Sequence, residues 1–182
     1  MIRQFPVVLG GGTSSLSPYV SLNTSDFLLD GTDIGSDTGS GFAGIASTID
    51  FTPDLQGTAW ADFNFKNSGF SDTNDILFDL HWIANGGIGS DLVVRLIISA
   101  WTVSAGDTPL AVAPIATSTV DLTILTTATG SKQMSAAIFT LGNVDIPATC
   151  ENVLISITRA ATNGADTYTG TFQITKFIGR QV

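Results

Sequence analysis

Alternating apolar and polar residues dominate the chain from residue 42 onwards, a pattern typical of strands half buried in a β-sheet. No apolar stripe with helical i, i+3, i+4 spacing is long enough to compete with it. The pattern predicts eight strands separated by turn-forming clusters, at residues 42–51, 58–65, 76–84, 91–103, 110–125, 136–141, 152–159 and 168–178. We therefore expect an all-β fold, an antiparallel β-sandwich and, within that class, a jelly roll.

Residues 1–41 have a different character, because Gly, Ser, Thr and Asp enclose only short apolar patches there. We divide the chain into an extended glycine-rich N-terminal arm, residues 1–41, and a jelly-roll domain, residues 42–182. The arm alone cannot bury enough apolar surface to offset the entropy lost on ordering it. We expect it to lie on the domain or on a neighbouring chain.

The two central strands give a prediction of register. In "ILFDLHWIA" alternation places Ile76, Phe78, Leu80 and Trp82 on one face, and Asp79 and His81 on the other face. Antiparallel pairing with residues 91–103 matches apolar with apolar positions and sets Asp79 opposite Arg95. The sequence therefore predicts a hairpin whose loop is residues 85–90.

That loop resembles a metal-binding repeat. "ANGGIGSDLVV", residues 84–94, matches the glycine-rich nonapeptide that binds calcium in parallel β-rolls. A β-roll holds each ion between successive copies, and one copy supplies half a site, so we expect a plain loop. The cluster of Asp30, Asp33 and Asp37 lacks the spacing and the late glutamate of a calcium loop. We predict no metal and no cofactor.

Residues able to catalyse a reaction are few. Cys150 is the single cysteine and His81 the single histidine, and they lie far apart in the sequence. We expect Cys150 to be a buried small hydrophobe. Asp79 and His81 share a strand face but have no third partner, and Glu151, the one glutamate, does not define a pair of carboxylates. We predict no catalytic residue and no enzymatic activity.

Charge limits the partners. The chain carries 7 Lys and Arg residues and a formal net charge of −9, so contact with the phosphates of DNA or RNA is not expected. No apolar run approaches the ~20 residues of a membrane span, and residues 1–9 do not resemble a secretion signal. We expect a protein made in the cytoplasm that binds neither nucleic acid nor membrane.

The three tryptophans raise the possibility of sugar binding, because exposed aromatic rings serve as platforms for sugar rings. The register above assigns Trp82 to the core. Trp60 alternates with Asp62 and is a candidate for the outer face, and Trp101 shares its face with Arg95. The alternative is aromatic packing within the sandwich or between subunits.

The strand "LVVRLIISAW" is apolar on both faces, whereas a sandwich in water normally shows one polar face. Large exposed apolar patches are uncommon on soluble monomers. We therefore predict a homo-oligomer, most simply a cyclic trimer.

Two segments carry a family resemblance. "ENVLISITRAATNGADTYTGTFQITKFIGRQV" and "DILFDLHWIANGGIGSDLVVRLIISAW" resemble the last and the central hairpin of jelly-roll modules in tailed-bacteriophage virions. These modules serve as capsid decoration or cement proteins, head fibres and tail-fibre domains. The resemblance covers about residues 57–182 and implies a structural virion protein that contacts the major capsid protein or other virion proteins from the outside of the particle.

Two alternatives stay open. A tail-fibre or baseplate module would share the fold but display a receptor-binding surface. A cellular carbohydrate-binding module belongs to another class of protein and would expose aromatic side chains.

Overall fold

The chain forms a β-sandwich of eleven strands in the computed structural model, which describes residues 17–30, 34–37, 48–53, 56–85, 92–107, 113–125 and 133–182. The strands, numbered in chain order, are β1 Tyr19–Asn23, β2 Phe27–Asp30, β3 Ile34–Asp37, β4 Thr48–Phe51, β5 Thr58–Asn64, β6 Ile76–Asn85, β7 Leu92–Val103, β8 Ala116–Ile124, β9 Gln133–Leu141, β10 Asn152–Arg159 and β11 Thr171–Gln181. The helices in these ranges are short 3₁₀ turns at Thr24–Asp26 and Asn143–Asp145. No helix in the described part of the chain could cross a bilayer.

Two antiparallel sheets form the sandwich. In the first sheet the strand order is β3-β4-β11-β6-β9, with β1 also pairing along β11. In the second sheet the order is β2-β5-β10-β7-β8. The predicted all-β jelly-roll sandwich is confirmed.

The core lies between the two sheets and is apolar. As the alternation predicts, Phe78 and Leu80 of β6 point inward and are fully buried, as are Leu96 and Ile98 of β7. Trp82 is 5% exposed and belongs to the same cluster, so its assignment to the core is confirmed. Side chains that alternate in this way bury one face of each sheet against the other.

The predicted hairpin of β6 with β7 is wrong. β6 lies between β11 and β9 in the first sheet, whereas β7 lies between β10 and β8 in the second. Asp79 does not meet Arg95: it forms an ion pair with Arg180, 3.1 Å away, and Arg95 forms one with Asp121. Both strands do present apolar faces to each other, but across the core and not within one sheet.

The hairpin at the C-terminal end is likewise not formed. β10 pairs with β5 and β7 in the second sheet, and β11 pairs with β1, β4 and β6 in the first. The connection between them therefore crosses from one sheet to the other.

Much of the segment predicted as an arm contributes strands to the sandwich. β1 pairs with β11, β2 with β5, and β3 with β4. Leu22 and Phe27 are buried in the core. Residues 1–16 lie outside the described residues, and the division of the chain at residue 41 stays a prediction.

A buried ion pair stabilises the connection between β10 and β11. Arg159 and Asp166 have side chains 0% and 1% exposed, and the guanidinium donates two hydrogen bonds to the carboxylate, at 3.0 and 2.9 Å. The same guanidinium donates to the backbone carbonyls of Phe51, Tyr168 and Gly170. Arg159 thus connects the end of β10 in the second sheet to β4 in the first.

Candidate functional site

The outer face of the second sheet brings together the two tryptophans that the sequence leaves outside the core. Residues paired across a sheet stand on the same face. Leu28 of β2 pairs with Trp60 of β5, and Trp60 pairs with Ser156 of β10. In the adjoining row Leu154 of β10 pairs with Trp101 of β7.

Trp60 and Trp101 contact each other across the intervening strand β10. Their ring centroids are 5.3 Å apart with an angle of 38° between the planes. Two strands separated by a third lie about 10 Å apart, so the large side chains must lean over β10 to meet. The residue of β10 opposite Trp60 is Ser156, which is 5% exposed and small enough to leave room for the rings.

Beside this pair lies a shallow depression of about 290 Å³, lined by Leu28, Leu29, Asp30, Trp60 and Leu154. Trp60 is partly exposed, and Leu28 is 77% exposed, a high value for a leucine in a strand. The depression is therefore an apolar surface open to solvent with an aromatic ring on one side.

Acidic side chains flank the depression. Asp30 is part of its lining, and Asp62, two residues from Trp60 along β5, pairs in register with the lining residue Leu154 on the same face; both acids are exposed. The nearest cation along β7 on this face is Arg95, whose guanidinium donates to Asp121 at 2.7 and 2.6 Å. The hydrogen bonds from Arg95 lower the pKa of the Asp121 carboxyl. The positive charge of Arg95 is thus already neutralised.

Two pairs of hydroxyl groups on this face are hydrogen-bonded to each other. Thr58 and Thr158 have their oxygens 2.8 Å apart, and those of Ser99 and Thr117 are 3.0 Å apart. These pairs bridge neighbouring strands and satisfy the hydrogen bonding of polar groups close to the tryptophans.

Most of the two motifs that resemble metal-binding sequences lies outside the described residues. Residues 86–91 of the glycine-rich loop lie outside the described residues, as does Asp33, and so does the side chain of Asp37. Within the described ranges no three His, Cys, Asp or Glu side chains converge on one point.

Cys150 and His81 lie in different parts of the sandwich. Cys150 is 1% exposed in the core, where burial raises the pKa of its thiol, so the prediction of a buried small hydrophobe is confirmed. His81 points outward from β6 and pairs in register with Lys176. Its pKa is lowered, first by burial and then by the charge of Lys176. Asp79 beside it accepts hydrogen bonds from Arg180 and from the backbone of Ala137.

Outward-facing residues of β7 are covered within the single chain. Ser99 and Trp101, on the outward side of β7, are each 8% exposed within the single chain. Their cover therefore needs no second chain. The trimer stays a prediction.

Comparison with known proteins bears on the fold. No family model matches the sequence, and no curated protein matches it. Among solved structures, a family 35 carbohydrate-binding module of Clostridium thermocellum covers 88% of this chain and 96% of its own, with TM-score 0.50 and 12% identity. A family 35 module of Cellvibrio japonicus covers 88% and 91%, with TM-score 0.51 and 13% identity.

A xylan-binding domain of carbohydrate-binding module family 22 covers 92% of this chain and 96% of its own, with TM-score 0.51 and 11% identity. The structural similarity shows a shared jelly-roll sandwich fold. Because the identities are this low, function has to be argued from the site.

Proposed function

We propose that this protein binds carbohydrate through the outer face of its second sheet. The observation that carries the proposal is the Trp60–Trp101 pair beside an open apolar depression. The solved structures with a similar fold are named as carbohydrate-binding modules, which supports this function above the others considered.

The physical basis is the shape and polarity of a sugar ring. One face of a pyranose exposes C–H groups, which pack against an aromatic face by dispersion and by the attraction of C–H groups to the π-electrons. Its hydroxyl groups lie around the rim and need hydrogen-bond partners. The depression offers Trp60 for the ring, Leu28 and Leu154 for apolar contact, and Asp30 for the hydroxyl groups. Asp62, which pairs with Leu154, offers a second carboxylate beside it.

The size of the depression suits a short segment of a chain. Its volume of about 290 Å³ lies near the lower end of small-molecule sites. Such a surface contacts roughly one or two sugar rings and leaves the rest of a polysaccharide in solvent. Binding of this kind requires no chemical step, in keeping with the prediction that the protein is not an enzyme.

The biological setting stays a proposal from the sequence. Capsid decoration and a position on the virion surface were inferred from a resemblance carried by two apparent hairpins, neither of which forms. The trimer was inferred separately, from the apolar character of both faces of residues 92–101. A receptor-binding module of a phage tail and a cellular carbohydrate-binding module both use a sugar-binding face, so both agree with this site better than a purely adhesive role.

An array of neutral and acidic glycans, probed with the labelled full-length chain, tests the proposal. We expect binding to a subset of glycans by the wild-type protein and its loss in Trp60→Ala. Absence of binding by the wild-type protein across the array and to insoluble polysaccharides would overturn it.

A further inference from the structure

The charges around the depression indicate which sugars it accepts. Asp30 lines it, and Asp62, which pairs in register with the lining residue Leu154, is exposed beside it on the same face. Among the described residues neither carboxylate has an ion-pair partner. The two acids therefore present uncompensated negative charge to anything that lies on Trp60.

The two cations that the structure describes on this face are already in ion pairs. Arg95 is held by Asp121 through two hydrogen bonds, at 2.7 and 2.6 Å. Lys66, just beyond the end of β5, lies 3.9 Å from Glu151. A carboxylate or sulfate on a bound glycan would therefore meet no free positive group among the described residues of this face. The whole chain, at a net charge of −9, adds to the repulsion.

We infer that the site selects neutral glycans and rejects acidic ones such as uronates. This inference rests on the proposed function and adds the chemical class of its ligand. Neutral hydroxyl groups donate hydrogen bonds to Asp30 and Asp62, whereas an anionic sugar brings like charges together. Two like-charge interactions across ~7 Å of water together weaken binding by roughly tenfold at low salt.

The experiment compares probes that share a backbone and differ in charge. β-1,4-Mannohexaose is compared with the β-1,4-mannuronate hexamer, and cellohexaose with the β-1,4-glucuronate hexamer, by calorimetry with the full-length chain. We expect the uronate of each pair that binds to be weaker by about tenfold in 20 mM salt, because charges this close are screened little there. The difference should shrink in 0.5 M salt.

Single substitutions test whether Asp30 and Asp62 cause the weaker binding of uronates. Asp62→Asn and Asp30→Asn keep a hydrogen-bonding side chain and remove a charge, so each should bring the uronate closer to its neutral counterpart. Asp72→Asn is the matched control. Asp72 follows Ser71, whose backbone is hydrogen-bonded to the side chain of Gln181 in the first sheet, so it belongs to the other side of the sandwich. Replacing it changes the net charge by the same amount. The control should leave the ratio unchanged.

The outcomes separate the two proposals. Equal binding of a neutral probe and its uronate, stronger binding of the uronate, or an equal effect of Asp72→Asn overturns the neutral-glycan inference and leaves carbohydrate binding standing. Absence of binding to all four probes and to every glycan of the array overturns both. Weaker uronate binding that Asp62→Asn relieves supports both.

Discussion

Removing the carboxylate of Asp166 should destabilise the fold more than any comparable change at the surface. In Asp166→Ala the Arg159 guanidinium, which is fully buried, loses both of its hydrogen bonds to the carboxylate. The backbone N–H of Arg95 also loses an acceptor, the Asp166 Oδ2 atom 3.2 Å away. The three carbonyl groups that remain around Arg159 carry dipoles and no net charge.

The expected cost follows from an uncompensated buried charge. Breaking a buried ion pair from one side costs about 3–5 kcal/mol, a large part of the ~5–15 kcal/mol that stabilises a typical domain. With a urea m-value of about 2 kcal/mol/M, the midpoint of unfolding should fall by roughly 2 M. Urea titration followed by far-UV circular dichroism measures it.

The chain offers a matched control in Asp121→Ala. Asp121 also binds an arginine through two short hydrogen bonds, but this pair is exposed to solvent on the outer face. Its loss should move the midpoint far less, because exposed ion pairs contribute little to stability. Equal shifts in the two variants, or a shift of less than about 0.5 M in Asp166→Ala, would refute the reasoning.

Further predictions concern the backbone and the first sheet. Ala137 has a φ of 50°, and Ala137→Gly should stabilise the protein by about 1 kcal/mol in urea titrations, because the left-handed conformation costs less for glycine; no gain would mean that the strain is absent. A Cβ at Gly179 would lie 2.7 Å from Cε1 of Phe78, so Gly179→Ala should cost about 1–3 kcal/mol, and an unchanged melting temperature would contradict this contact. His81 has a pKa lowered chiefly by burial, so the unfolded chain binds more protons than the folded one just below pH 6.5. The free energy of unfolding should therefore fall from pH 7.5 to 5.5, and His81→Gln should flatten this part of the profile. A steeper fall in the variant than in the wild-type protein would contradict the prediction, because it would mean that folding raises the pKa of His81.

Strand positions and inward-facing residues were accessible from the sequence because they depend on local alternation. β10 was predicted at its observed bounds, and Trp60 was a candidate for the outer face because it alternates with Asp62. β1, β2 and β3 were missed, since they are only four or five residues long, lie in a segment rich in Gly, Ser and Asp, and are held by pairing with other strands.

The pairing of strands could not be predicted from the sequence. The apolar faces of β6 and β7 fit each other equally well side by side in one sheet or opposed across a core, and periodicity does not distinguish these arrangements. The Trp60–Trp101 contact depends on β10 lying between their strands, which alternation cannot show. For the same reason the sequence analysis set Asp79 opposite Arg95, whereas its ion-pair partner in the structure is Arg180.

The most direct test of sugar binding at this face is a calorimetric comparison of two aromatic variants, using the strongest glycan found on the array. Trp60→Ala removes the ring beside the depression, whereas Tyr19→Ala removes a ring that is 62% exposed on β1, in the first sheet. The account predicts at least a tenfold loss of affinity in Trp60→Ala and none in Tyr19→Ala, with both variants folded by circular dichroism. Unchanged affinity in a folded Trp60→Ala would contradict it.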